Sequence, residues 1–480
     1  MLYILNLDLQ NKMKSNTVTL IRKNTSLLIQ NPTTHILRYL KYTKRSIDVR
    51  HGIVQTEELL YRTLKDNSIV TMQGFYRKCV ELCKKYKVPY TVVDKRLPFP
   101  IPRIEKIKGL RGTQFSVLTQ FLTKNESGII KVPTRFGKAY LMLNVLRAFP
   151  QLPTVVAMPG VDLVNQFYKK VKEMLPERDV AKIVTGSRAN QSNDITICSL
   201  DSMEKLDKKN VKLVIVDEIH AAVSDSRASI FTEFENARFM GFTATASGRF
   251  DGGDKLIIGL FGAVLVEKTF KEAVAEGMIC PITVYMVRTR LDDTTYKNYK
   301  RIYNDVFYHN ARIQDLVARI ANTCIPKGFQ TLTVIDNKVQ AYALSQVMDD
   351  AEVAIAGDMN TSTRRDMFDK MQNNEVLRCI ATGIYSQGVT FSNLRCMINY
   401  AGGSKNISSV QKPGRLAEIV EGKKCGYLID FLLENDDEYE RELLNYPVVR
   451  DSKNRMELYE ETGYDVIVVD ESEIETMEFT

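Results

Sequence analysis

From about residue 106 onward, short apolar runs rich in β-branched residues alternate with amphipathic stretches at helical spacing. The runs "GIIKVP", "TVVAMP", "ITICSL", "KLVIVDE" and "ARFMGFTAT" fall between 106 and 278. The alternation restarts between 279 and 450 with "ITVYMVR", "QTLTVID", "EVAIAG", "RCIATG", "RCMINYAG" and "CGYLIDF". Continuous apolar strands separated by helices predict parallel sheets with crossover connections, and the restart predicts two of them. Residues 1 to about 105 read differently, as a small α+β module. "TVTLIRK" and "VPYTVVD" suit strands, "TTHILRYLKYTK" a helix, and "GFYRKCVELCKKYK" a basic amphipathic helix. The proline-broken "KRLPFPIPRIEKIKG" reads as a linker, so the module is expected to have a core of its own.

A chain of 480 residues exceeds what one core organises, in keeping with several domains. No apolar run approaches the length of a membrane span, and the start lacks the basic flank and cleavage site of a secretion signal. The 8 cysteines are scattered, and Cys79 and Cys83, four apart, share a helix face rather than a metal or redox pair. Reduced thiols in a cytosolic protein with no structural metal are expected.

Charge is distributed unevenly. Residues 1–111 carry 22 Lys and Arg against 8 Asp and Glu, a balance of +14, whereas residues 430–480 carry 4 against 17, a balance of −13. A basic leading segment and a basic middle point to a polyanionic partner, because neutralising phosphates releases counterions.

Two stretches carry chemistry. In "KVPTRFGKAYLM" Gly137 and Lys138 lie between a strand and a helix, where backbone N–H groups and a lysine cradle phosphates. The strict G-x-x-x-x-G-K-[ST] pattern fails at its first glycine and at Ala139, which replaces the hydroxyl that touches Mg²⁺. In "KLVIVDEIHA" an apolar strand delivers Asp217 and Glu218 to its carboxyl end. Asp217 suits Mg²⁺ as a hard oxygen ligand, and Glu218 suits a water-orienting or proton-accepting role. His220 in this context links the nucleotide to a neighbouring domain.

These motifs, with "MGFTATASGRFDG", resemble those of the superfamily 2 helicases, and further matches follow in family order. "LRGTQ" resembles the adenine-reading glutamine motif, with Arg111 and Gln114. "AMPGVDLVNQF", with Pro159, Gly160 and Gln166, and "ICSLDSM", with Ser199, resemble strand-contacting motifs. "IATGIYSQGVTFSNL" contributes Thr382, Gly383, Gly388 and Thr390, and "SVQKPGRLAEI" contributes Gln411 and Arg415. Within the family, "YSQGVTFSNLRCMINYAGGSKNISSVQKPGR" is most similar to the phage UvsW-type recombination helicases, and "NRMELYEETGYDV" to their closing helix and strand.

The resemblance implies two RecA-like parallel-sheet lobes, 106–278 and 279–450. A small N-terminal α+β accessory domain over 1–105 and an acidic helix–strand extension over 451–480 complete the layout. It implies ATP held by Pro133, Thr134, Arg135, Phe136, Gly137, Lys138 and Ala139, with Mg²⁺ on Asp217. Arg415 is then the arginine finger beside Gln411, and Thr243, Ala244 and Thr245 couple nucleotide to DNA. The expected activity is an ATP-dependent DNA helicase or translocase working on branched DNA. Ala139 and Glu418, which stands where the family has a second arginine, open another reading: a hydrolysis-poor DNA clamp or recombination scaffold. A third is an RNA helicase or a restriction-type motor subunit, and residues 1–105 show no nuclease constellation to favour the latter.

Overall fold

The computed structural model describes residues 17–48, 52–186, 190–223, 225–244, 253–291, 302–355, 359, 361–382, 391, 393–403, 413–435 and 447–480. It divides into two compact units, Met1–Val132 with Gly137–Glu267, and Pro133–Phe136 with Lys268–Thr480.

The first unit begins with β1 (Val18–Arg22) and β2 (Ser26–Gln30), whose residues alternate between buried and half-buried. The strands β3 (Lys41–Asp48) and β4 (Gly52–Leu59) pair antiparallel with each other alone, forming a ribbon. With β5 (Tyr61–Thr63), β6 (Ile69–Met72) and β7 (Tyr90–Asp94) the module makes a mixed sheet in the order β5-β6-β2-β1-β7. The helix predicted over "TTHILRYLKYTK" is shorter than expected, Thr34–Tyr39, capped by the Thr33 hydroxyl. Its continuation joins β3, where Tyr42, Thr43 and Ile47 favour a strand and the partner β4 supplies the ladder. On helix Tyr76–Lys85, Cys79 and Cys83 are both buried on one face, as their spacing predicts.

The module has its own buried cluster, built from Val18, Leu20, Leu27, Ile29, Ile36, Leu40, Ile69 and Phe75, and Leu256 and Ile258 pack against it. Met72 and Phe75 press on Gly259 of helix Asp254–Phe261, where an added Cβ would come within 2.7 Å of Met72 and 2.8 Å of Phe75. A Cβ on Gly74 would lie 1.9 Å from the Ile258 carbonyl, so two helical segments meet through glycines. Lys255 Nζ donates to the carbonyls of Tyr39 (2.8 Å) and Lys41 (2.6 Å). Glu126 accepts from Arg77 at 2.6 Å and pairs with the buried Arg22 at 3.4 Å. The apolar edge of the module is thus completed by residues some 180 positions downstream.

The same unit carries a seven-stranded, wholly parallel sheet. Its strands are β8 (Gly128–Lys131), β9 (Thr154–Met158), β10 (Val180–Ile183), β11 (Ile195–Ser199), β12 (Leu213–Asp217), β13 (Arg238–Thr243) and β14 (Val264–Glu267). They run in the order β10-β11-β9-β12-β13-β8-β14. Residues of β9, β11, β12 and β13 are buried throughout, which is why they read as unbroken apolar runs.

The second unit repeats the architecture with β15 (Ile282–Leu291), β16 (Gln330–Val334), β17 (Ala351–Ala354), β18 (Arg378–Ala381), β19 (Leu394–Asn399), β20 (Gly426–Asn435) and β21 (Asp465–Asp470). Seven parallel strands follow the order β17-β18-β16-β19-β20-β15-β21. The closing strand pairs with β15 from Thr283↔Asp465 to Arg288↔Asp470 and so belongs to the sheet rather than extending beyond it. Beneath it, Asp430 on β20 takes a bidentate hydrogen bond from Arg455 of helix Pro447–Thr462 (2.8 and 2.8 Å), with Tyr459 OH at 2.7 Å and Asn399 Nδ2 at 2.8 Å. Both architectures are RecA-like lobes, accompanied by the small α+β N-terminal domain. Among the described residues no helix is long and apolar enough to cross a membrane, no group of metal-binding side chains stands out, and all eight cysteines are free.

Candidate active site

The chemistry-bearing residues of the first unit gather at the carboxyl ends of its parallel strands, where ligands bind in open α/β sheets. The strand β8 feeds the phosphate-type loop, β12 ends in Asp217, and β13, between them, ends in Thr243. Arg135 and Gly137 take left-handed conformations, with φ of 69° and 100°. Gly137 caps helix Lys138–Ala148, so the free amides of the first turn face the end of the loop.

Lys138 and the acidic pair meet. Lys138 Nζ donates to Glu218 Oε1, and Glu218, itself at φ 48°, turns the chain directly after β12. Its other oxygen lies 3.4 Å from His220 Nδ1, and the same nitrogen lies 3.4 Å from Thr243 Oγ1. A polar chain therefore runs from Lys138 through Glu218 and His220 to Thr243, with His220 and Thr243 buried. Burial alone would lower the Lys138 pKa, but Glu218 and Asp217 overcome it and raise it, so the ammonium persists at neutral pH. Burial drives the Asp217 pKa upward, against the pull of Lys138. Asp217 Oδ1 accepts the Glu218 N–H at 3.0 Å, while Oδ2 accepts no hydrogen bond among the described residues. That open hard oxygen fits a divalent cation, and Ala139 adds no hydroxyl beside it.

The glutamine motif reaches the loop. The Arg111 N–H donates to Gln114 Oε1 at 2.9 Å, and a Cβ on Gly137 would lie 2.4 Å from Gln114 Nε2. A residue that sequence reasoning passed over fixes this approach. Asn144, fully buried, donates to the Tyr140 carbonyl (2.9 Å) and accepts from the Lys108 N–H (2.9 Å), pinning the linker that leads to Arg111 and Gln114. Its signal was one amide inside the apolar "LMLNVL".

Within the second unit, Arg415 lies buried in the turn Pro413–Ala417, its pKa pushed down to about 9 by burial and then by the charge of Arg135. Arg135 Nε lies 3.0 Å from Glu418 Oε2. Glu418, the departure noted in the sequence, is thus paired with a residue of the phosphate-type loop. Lys423 Nζ, missed by sequence reasoning, donates to the carbonyls of Leu416 (2.6 Å) and Leu394 (2.7 Å) and holds that turn against β19. Phe136 is buried, whereas Pro133, Thr134 and Ala139 are half-buried.

Of the residues expected to touch a nucleic-acid strand, Pro159 and Gly160 follow β9 half-buried, Gln166 is exposed, and Thr382 follows β18. Ser199 is instead buried, its Oγ 2.8 Å from that of Ser202, so its hydroxyl serves the fold rather than the surface. Ala244 directly follows β13. Thr245, Gly383, Gly388, Thr390 and Gln411 lie outside the described residues.

Residues 104–248 match the family described as type III restriction enzyme, res subunit, and residues 314–419 match the helicase conserved C-terminal domain. A protein named helicase 22 from a Sulfolobus islandicus filamentous virus is 22% identical over 460 residues, covering 88% of this chain and 81% of its own. A fragment of an HsdR subunit of a type I restriction enzyme from Vibrio vulnificus is similar at TM-score 0.55 and 13% identity, over 92% of this chain and 93% of that one. T4 UvsW aligns at TM-score 0.43 and 12% identity, over 95% of this chain and 100% of its own. With a phosphate-type loop, a D-E-I-H strand end and two seven-stranded parallel lobes in one chain, the protein belongs to the superfamily 2 helicases.

Proposed function

We propose that the protein is an ATP-dependent DNA helicase or translocase that acts on branched DNA such as forks, Holliday junctions and displacement loops. The observation that carries the ATP-driven part is the side-chain chain Lys138–Glu218–His220–Thr243, which ties a phosphate-binding lysine and a water-orienting carboxylate to a strand-end threonine. Lys138 grips the phosphates, Glu218 orients and deprotonates the attacking water, and His220 transmits the state of Glu218 to Thr243. Gln114 reads the base, and Arg415 supplies positive charge as the phosphoryl group transfers. Asp217 would hold Mg²⁺, which neutralises phosphate charge when bound.

The choice of DNA, and of branched DNA, rests on the basic leading segment and on the motif resemblance to UvsW-type enzymes. In this reading residues 1–105 form the nucleic-acid module, 106–278 and 279–450 the motor, and 451–480 an acidic closing segment. Gly160, Gln166 and Thr382 contact phosphates, which carry no sequence information and suit a motor stepping along any sequence. The host cytoplasm is the expected compartment. Ala139 supports a second reading, a slow or hydrolysis-poor clamp. Steady-state ATPase with no DNA, duplex, single strands and a four-way junction separates them. Junction-stimulated turnover supports the motor, and tight junction binding without turnover supports the clamp.

A further inference from the structure

A cleft of about 790 Å³ lies within the first unit, between the N-terminal sheet and helix Asp225–Thr232. Lys23 in the β1–β2 turn, Arg62 on β5 and Lys95 after β7 line one side, and Ser229, Thr232 and Glu235 the other. All three cations are exposed, and none makes an ion pair among the described residues. Their neighbours differ: Arg22, Arg77 and Arg96 are already engaged by Glu126 and Asp94. The cleft therefore holds three uncommitted positive charges against one acid.

Its walls are fixed in advance. The Lys23 N–H donates to the Ser26 carbonyl (2.9 Å), the Lys95 N–H to the Arg22 carbonyl (2.8 Å), and the Leu97 N–H to Asn24 Oδ1 (2.9 Å). Long cationic side chains beside the hydroxyls of Ser26, Ser229 and Thr232, on an open trough with an apolar floor of Leu59, Val70 and Leu256, match a sugar–phosphate backbone, whose contacts come from lysine, arginine and serine or threonine.

We propose that this cleft is a nucleic-acid backbone site, additional to the strand-contacting motifs of the lobes and shared between the accessory module and the first lobe. The proposal rests on the DNA-motor reading above. The test is the triple charge reversal Lys23→Glu, Arg62→Glu, Lys95→Glu, beside a control reversal Lys84→Glu, Lys85→Glu, Lys87→Glu on the same module outside the cleft. Junction affinity is measured by fluorescence anisotropy across salt concentrations, together with ATPase with and without DNA. The cleft variant is expected to bind at least 10-fold more weakly, with a log–log salt slope shallower by roughly 2 to 3, since each phosphate contact contributes about 0.9. The control loses less, and DNA-independent ATPase and the melting midpoint match the parent in both. A glutamine version of the cleft triple reproduces the loss if charge rather than fold is responsible. If the parent is DNA-stimulated but the cleft and control triples bind alike, the cleft proposal is overturned while the motor reading stands. If the parent neither binds DNA nor responds to it, both fall. If polyglutamate binds the parent as tightly as DNA and the cleft triple loses both, the site takes acidic protein and the proposal is also overturned.

Discussion

Lys138 Nζ is hydrogen-bonded to Glu218 Oε1, so the lysine expected to grip phosphate is held by the carboxylate expected to orient water. A phosphate must compete with that carboxylate for the ammonium. Glu218→Gln removes the competing charge and the proton acceptor together. Hydrolysis is expected to fall on the order of 10²–10⁴-fold, while ATP binds at least as tightly as in the parent. Single-turnover hydrolysis and nucleotide binding, measured on the same preparation, check both halves. Unchanged turnover would remove Glu218 from the mechanism.

The Arg135–Glu418 pair changes what Glu418→Arg should do. From sequence alone, restoring the family arginine promises a faster enzyme. With Arg135 Nε 3.0 Å from Glu418, the substitution sets two guanidinium groups against each other. Glu418 is one-third exposed, so the cost in stability is about 1–2 kcal/mol. Slower ATPase and a lower melting midpoint are expected, and Arg135→Ala in the same chain should recover part of each. A faster single mutant would show that Glu418 acts as a brake.

Ala139 follows Lys138 in the first turn of its helix, half-buried, with Asp217 Oδ2 open to a cation. Ala139→Thr adds the missing hydroxyl at low helical cost. Tighter Mg·ATP binding and faster hydrolysis are expected, with binding measured at several Mg²⁺ concentrations. If neither changes and the parent already turns over briskly, the loop needs no hydroxyl.

Arg455 and Asp430 are both fully buried, and Asp430 raises the Arg455 pKa against the opposing effect of burial. Arg455 Nη1 also donates to the Gly403 carbonyl at 2.8 Å. Arg455→Met strands a buried carboxylate and should cost about 3–5 kcal/mol, seen as a lower denaturation midpoint. Adding Asp430→Asn should return much of it, since the desolvated charge is then gone. A single mutant as stable as the parent would show that the pair contributes no net stability.

The parallel sheets were legible because strands buried on both faces, such as Leu213–Asp217 and Thr154–Met158, must be apolar throughout. The placement of Lys138, Asp217, Glu218 and His220 just after parallel strands could be read because an apolar run precedes each, whereas Gln114 lies on helix Gly112–Thr123. The ribbon β3–β4 was missed because its alternation begins inside a helical-looking stretch and only the partner strand decides. The Arg135–Glu418 pair was hidden because nothing local links residues 283 positions apart. The packing of the module on Gly259 was hidden for the same reason, so charge reversal tests its role better than deleting residues 1–100, which would also remove Met72 and Phe75 and uncover helix Asp254–Phe261.

Lys423 yields the pH prediction. Its ammonium is buried and holds the Leu416 and Leu394 carbonyls, and burial lowers its pKa to about 8 from the ordinary 10.5. Cys280 and Glu418 pull it up, while Arg395 and Arg135 push it down with burial. A lysine depressed on folding binds fewer protons folded than unfolded between pH 8 and 10.5, so its contribution to stability rises with pH across that window. Lys423→Met abolishes the titration but leaves two carbonyls without their donor. The parent-minus-mutant difference in unfolding free energy should therefore be smallest below pH 8 and grow toward pH 10, by no more than a few kcal/mol. Urea melts of both proteins from pH 7 to 10 give that difference directly. A flat difference would mean that Lys423 keeps its ordinary pKa in the fold, and a falling one that the carbonyls stabilise the charged form more than burial opposes it.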